Sequence, residues 1–207
     1  MMSNKVILST AYLPPVQYFS KLIKYEEILI EAHENFIKQT YRNRCNIYGA
    51  NGILGLTIPV KKMDTKTIMK DIIIDYDTNW RKMHWKSIES AYRSSAFFEF
   101  YADYLAPFYH TKYKFLIDFN HDILKMLAKQ LEIDIHIKYT NEYYFAEEVT
   151  FDDFREIIHP KKKLYDPDFK VKEYFQVFSD KHGFISNLSI LDLLFNTGPE
   201  TLDYIKK

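Results

Sequence analysis

Between residues 6 and 31 the chain lays out strand, sharp turn, short helix and strand, an opening that points to the α/β class. Val6-Ile7-Leu8-Ser9-Thr10-Ala11 is nearly continuous in small and apolar side chains, as in a strand covered on both faces. Pro14-Pro15 ends it. Pro15 suits a first helical turn, and Val16, Phe19, Leu22 and Ile23 then fall at helical spacing up to residue 25. Ile28-Leu29-Ile30-Glu31 is a second strand. Two buried strands joined through a helix are the start of a βαβ unit with parallel pairing. The turn from Tyr12 to Gln17 then lies at the carboxyl end of the first strand, where open α/β sheets bind ligands.

The rest of the chain adds to that unit. Asn43–Tyr48 and Gly52–Val60 read as two strands of a hairpin joined at Gly49-Ala50-Asn51-Gly52. Met69–Asp75 reads as another short strand. Helices are expected over 79–93, over 96–105 up to a stop at Pro107, and over 122–131. Ile133–Tyr139 alternates like a strand. Thr150, with Asp153 three residues on, resembles the capping box of a helix over 151–158. Pro160 to Pro167, carrying Lys161-Lys162-Lys163, reads as a solvated loop. Ser189 and Asp192 open a helix over 190–196 that Gly198-Pro199 stops, and a last short helix runs from Pro199 toward Lys207. No repeat or linker divides the 207 residues. The expected fold is α/β: a single domain over 1–207 with a Rossmann-like mixed sheet, a β-hairpin insertion, and a helical middle and C-terminal part.

Composition narrows the function classes. With 28 basic and 28 acidic residues the net charge is zero, which argues against a broad phosphate-neutralising surface and so against nucleic acid as a partner. The single Cys45 excludes an internal disulfide framework and any multi-cysteine metal site. Five glycines form neither GxGxxG nor GxxxxGK[ST], and no cofactor is named by the sequence. No apolar run is long enough to span a membrane, and the first residues do not form a signal peptide, so the cytoplasm is the expected compartment. Aromatics are in excess. Nine of the 19 residues from Phe97 to Phe115 are Phe or Tyr, more than a core helix needs, so some of those rings are expected at a pocket or a partner.

Three stretches in order carry a family resemblance. They are Tyr41-Arg-Asn-Arg-Cys-Asn-Ile47 with Gly52-Ile-Leu-Gly-Leu-Thr-Ile-Pro-Val60, then Trp80-Arg-Lys-Met-His-Trp85 running on to Phe97-Phe-Glu-Phe-Tyr101, then His182 to Pro199. Together they resemble the WbqC-like protein family over about residues 5 to 202. At the amino terminus many members look like Gln-Pro-x-Tyr-Phe-Pro, of which this chain keeps Tyr12 and Pro14. The resemblance implies a place in bacterial surface-polysaccharide (O-antigen) synthesis. It also implies a transferase that moves a glycyl or other acyl group onto a sugar.

The candidate site residues follow. Arg42 and Arg44 sit two apart and share a face if the segment is extended, making a fork for an anionic donor, with Asn43 between them. The competing reading is an ion pair with Glu31 or Glu34. Glu31 and His33 share one side of a strand end, as an acid orienting a general base. With Glu34 they would be metal ligands, but no second cluster supports that, and no metal site is assigned. His84, between Trp80 and Ile88, is either a proton-moving group or a hydrogen-bonded core residue. Tyr92 offers a phenol to a sugar or phosphate. Glu99 and Asp103 read as a solvated helix face. Asn187 is left as a pocket amide once capping explains Ser189, Asp192 and Gly198. On this reading Tyr12, Arg42, Asn43, Arg44 and His84 converge on one pocket for a small anionic ligand or sugar-linked substrate. A homodimer and, as the alternative function, a non-catalytic glycan- or partner-binding protein of the same pathway complete the expectations.

Overall fold

The computed structural model describes residues 4–62, 64, 66–162, 164–170 and 172–205; Lys163 of the basic run and the end of the last helix at Lys207 lie outside them. The opening forms as its pattern requires: β1 (Lys5–Ser9), α1 (Val16–Lys24) and β2 (Glu27–Glu31). β1 pairs parallel with β2 from Lys5 opposite Glu27 to Ser9 opposite Glu31. Val6, Ile7 and Leu8 are wholly buried, which accounts for an apolar run without alternation.

The hairpin β3 (Arg44–Gly49) and β4 (Gly52–Thr57) stands apart as a two-stranded antiparallel sheet. Its left-handed residue is Gly52 (φ 97°), the position a G1-bulge turn gives to glycine. The helical middle consists of α2 (Trp80–Tyr92), α3 (Phe98–His110) and α4 (Leu116–Gln130). Two short strands then complete the main sheet: β5 (Ile137–Tyr139) beside β2, and β6 (Asp152–Asp153) beside β1. All four of its strands are parallel, in the order β5-β2-β1-β6, so antiparallel pairing between strands is confined to the hairpin. The chain ends in α5 (Ser179–His182), α6 (Ile190–Thr197) and α7 (Thr201–Ile205), and the Ser189 hydroxyl caps α6 by accepting from Leu191 N.

Four sequence expectations are corrected. Residues 69–75 are a 3₁₀ turn (Met69–Asp71) followed by isolated bridges, Ile73 to Phe115 and Ile74 to Val60, with no ladder. Pro107 lies inside α3 and does not stop it: Asp103, whose carbonyl loses its partner, faces solvent, while Leu105 and Tyr109 are anchored in the core on either side. The alternation from Ile133 yields a strand only over its last three residues. Residues 151–158 hold a strand and a turn in place of a helix, because Phe154 N donates to Ile7 O and extends the pairing with β1. A strand edge left open beside buried Val6 and Ile7 outweighs one local capping signal.

Candidate functional site

The chain leaves β1 toward β2 on one side, and β6 closes on the other. That reversal between β1 and β6 is where an open parallel sheet leaves a crevice at its carboxyl end. Here Ser9, Thr10, Tyr41, Arg42, Phe154 and Arg155 line it, and its volume is about 10 Å³, room for one water. Two buried ion pairs fill the space. Arg42 donates from Nε to Glu34 Oε1 (2.8 Å), and from Nη2 to Glu34 Oε2 (2.5 Å) and Ser9 Oγ (2.8 Å). Arg155 donates from Nη1 to Glu31 Oε2 (3.0 Å) and the Tyr144 carbonyl (2.7 Å), and its other nitrogens reach Asp153.

The expected site residues separate into several environments. Arg42 and Asn43 precede β3 in a turn, so the two arginines do not share a strand face as the extended reading had it. Glu34 captures Arg42. Arg44 lies across Gly55 of β4, with its Nε buried and unpartnered among the described residues. Asn43 Nδ2 donates to the Ile58 carbonyl. Glu31 is wholly buried and accepts from Thr140 Oγ1, the backbone N–H groups of His33 and Tyr144, and Arg155. It does not touch the His33 ring directly. Thr140 stands between them, its Oγ1 2.7 Å from Glu31 and 3.3 Å from His33 Nδ1, while Lys70 Nζ lies 3.0 Å from His33 Nε2.

Tyr12 and His84 do meet. The Tyr12 hydroxyl is 3.0 Å from His84 Nδ1 and 2.7 Å from the Tyr109 hydroxyl, with all three rings buried. Burial lowers the His84 pKa to about 4 and raises that of Tyr12 well above its ordinary value, so both are neutral at pH 7. Tyr92, also buried, accepts from Tyr48 N (3.1 Å). Asn187, at φ 55°, brackets Gln17 near the start of α1, accepting from Gln17 N (2.9 Å) and donating to its Oε1 (3.1 Å). Among the described residues no three of His, Cys, Asp and Glu are grouped to hold a metal ion, and no helix is long and apolar enough to cross a membrane.

A much larger cleft of about 650 Å³ shares Tyr41 with the crevice. Its lining includes the amides Gln17, Asn46 and Asn187, the rings of Tyr41, Tyr165 and Phe169, and His159, Lys161 and Lys162. Tyr165 is 85% exposed, and Asn46 Oδ1 is buried without a partner among the described residues. The cleft wall is pinned to α1: wholly buried Lys21 donates to Asp166 (2.8 Å), as does Gln17 Nε2 (2.8 Å). Of these residues the sequence points to Asn187 as a pocket amide and to Gln17 as the end of the turn after β1, while Lys161 and Lys162 read there as a solvated loop and Asn46, His159, Tyr165 and Phe169 are assigned no role. The basic run beside His159-Pro160 and Tyr165 was the one local signal for them.

The model of the WbqC-like protein family matches residues 10–159. The chain belongs to this family. The matched part of this WbqC-like chain runs from the end of β1 to His159 and takes in every expected site residue except Asn187. The uncharacterized protein Rv1507c of Mycobacterium tuberculosis (strain ATCC 25618 / H37Rv) is 28% identical over 239 aligned positions, covering 99% of this chain and 98% of that one. No solved structure is a significant match.

Proposed function

We propose that this WbqC-like protein binds a sugar-linked anionic substrate of bacterial surface-polysaccharide synthesis in the larger cleft, between the start of α1, the β3–β4 hairpin and the loop after Ile157, and transfers a glycyl or other acyl group to or from it. One observation carries the reading. The cleft combines what such a ligand requires: ring faces for sugar C–H surfaces, amides for hydroxyls, and a cationic loop for negative charge. Neither of the two residues expected to move a proton lines this cleft: His84 is buried, and His33 keeps its ring partly at the surface, with Thr140 Oγ1 between it and Glu31. A second reading, a non-catalytic glycan binder of the same pathway, is favoured by the exposure of Tyr165, since bare ring faces suit saccharide docking without chemistry.

Thermal unfolding with glucose 1-phosphate, uridine diphosphoglucose, acetyl-coenzyme A and neutral oligosaccharides tests both. A bound ligand at a hundred times its Kd adds about 2.7 kcal/mol, or about 5–10 °C for a chain of this size. The transferase reading expects this rise with an anionic sugar or an acyl donor, reduced in Tyr165→Ala. A rise with neutral oligosaccharides alone selects the glycan binder. No rise with any of them removes both.

A further inference from the structure

His159 lines the cleft, half-buried, and its ring is held in one protonation state by the loop that follows it. Its Nδ1 accepts two backbone hydrogen bonds, from Lys161 N (3.0 Å) and Lys162 N (3.1 Å). A nitrogen that accepts from N–H groups carries no proton, so the hydrogen of the neutral ring sits on Nε2. Partial burial lowers the ring's pKa, reinforced by Lys162, Arg42 and Lys161 and opposed by Glu156. Among the described residues none accepts a hydrogen bond from Nε2. The two lysine ammoniums are engaged at the surface, Lys162 with Glu156 (2.8 Å) and Lys161 with Gln39, so they supply positive field more than direct ligation.

Resting on the cleft being the ligand site, we infer that His159 Nε2–H is the donor that receives the ligand's anionic oxygen, on a phosphoryl or a carboxylate group. The neutral ring donates without needing to be charged. It is not a general base in this arrangement, since one nitrogen is taken by the loop and the other carries the proton. A hydrogen bond to a charged partner contributes about 1.5–3 kcal/mol, or about tenfold or more in affinity.

Selective ¹⁵N labelling of histidine and tyrosine in the full chain tests this at pH 7, through two-bond ¹H–¹⁵N spectra of the imidazoles and the amide signal of Tyr165. Inorganic phosphate and acetate separate the two anion types, and glucose 1-phosphate adds the sugar. The expected spectrum has His159 neutral with its proton on Nε2, and phosphate or acetate moves that nitrogen saturably. His159→Asn keeps an acceptor for the two amides but lacks the far donor, so anion affinity falls about tenfold or more. His159→Gln places an N–H near the original Nε2 and binds more tightly than His159→Asn. A ring protonated on Nδ1, a ring unmoved by both anions, or a His159→Asn protein that binds like the wild type overturns the inference. The proposed function fails separately. If phosphate moves His159 but no sugar-linked ligand perturbs Tyr165, the anion site stands without the sugar reading. If glucose 1-phosphate perturbs Tyr165 and leaves His159 unmoved, the sugar reading stands without His159.

Discussion

At the scale of single residues, the partners of a charge decide whether it serves the site or the fold. Arg42 is nearly sequestered from solvent and binds Glu34 through two nitrogens. Arg42→Ala leaves that carboxylate buried and unpaired, and a loss of about 3–5 kcal/mol in urea unfolding is expected. Arg42→Met with Glu34→Leu recovers much of it; if the single variant unfolds like the wild type, the pair contributes no stability. Two other buried groups set a pH response of opposite sign. Asp192, raised to about 6 by burial against hydrogen bonds from Tyr174 and Gln176, stabilises the fold fully below the unfolded carboxyl pKa of about 4 and loses that contribution as pH rises through about 6. His84, lowered to about 4, contributes fully above the unfolded imidazole pKa of about 6.5 and loses its share as pH falls through about 4. Each effect is on the order of 3 kcal/mol, and between about pH 4 and 6.5 they oppose each other. Relative to wild type, Asp192→Asn is expected to become acid-labile across that window, and His84→Gln to gain stability on acidification. Urea midpoints measured from pH 4 to 7 check both; parallel curves for all three proteins would contradict the assignment.

At the scale of elements, local pattern was a good guide where burial and backbone preference agree. Helix α6 was legible in sequence because Ser189 caps it, its interior is apolar and Gly198 ends it. Gly198 at φ 55° is needed twice over: an added Cβ would stand 2.5 Å from the Phe97 ring, which is held against the end of α6 by Phe97 N donating to Phe195 O. Gly198→Ala therefore combines left-handed strain with overpacking, and a loss of about 2–4 kcal/mol is expected in thermal unfolding. A neutral result would mean that α3 and α6 separate easily at this junction. Helix α3 ran past its proline because the orphaned carbonyl faces water, a fact of orientation that the position of Pro107 does not record. Its aromatic excess is divided: Phe98 and Tyr109 pack inward, whereas Phe100 is 69% and Tyr104 52% exposed.

At the scale of the whole molecule, the cleft exists because residues far apart in the chain close on one another. Asp166 accepts from Lys21 and Gln17 across more than 140 positions, and it also holds Asp168 N (3.1 Å). Asp166→Ala leaves the Lys21 ammonium buried without this partner, costing about 3–5 kcal/mol. Hydrogen exchange is expected to quicken at amides 164–169 more than in β1; uniform quickening throughout would mean that the wall does not move independently of the sheet. By itself the sequence determined the βαβ opening, the hairpin, the capped C-terminal helix and the α/β class, because these follow from spacing, chain-local turns and apolar runs. Family membership was legible in the same way, from the order of three motifs. Only the tertiary structure decided that residues 152–153 join β1 as a strand, that Glu34 takes Arg42, that Arg44 lies over Gly55, and that His84 sits neutral beside Tyr12. Each of those outcomes depends on which distant group is nearest after folding. A charge or a strand edge buried by the fold must find a partner, and nothing local in the sequence says which one it will be.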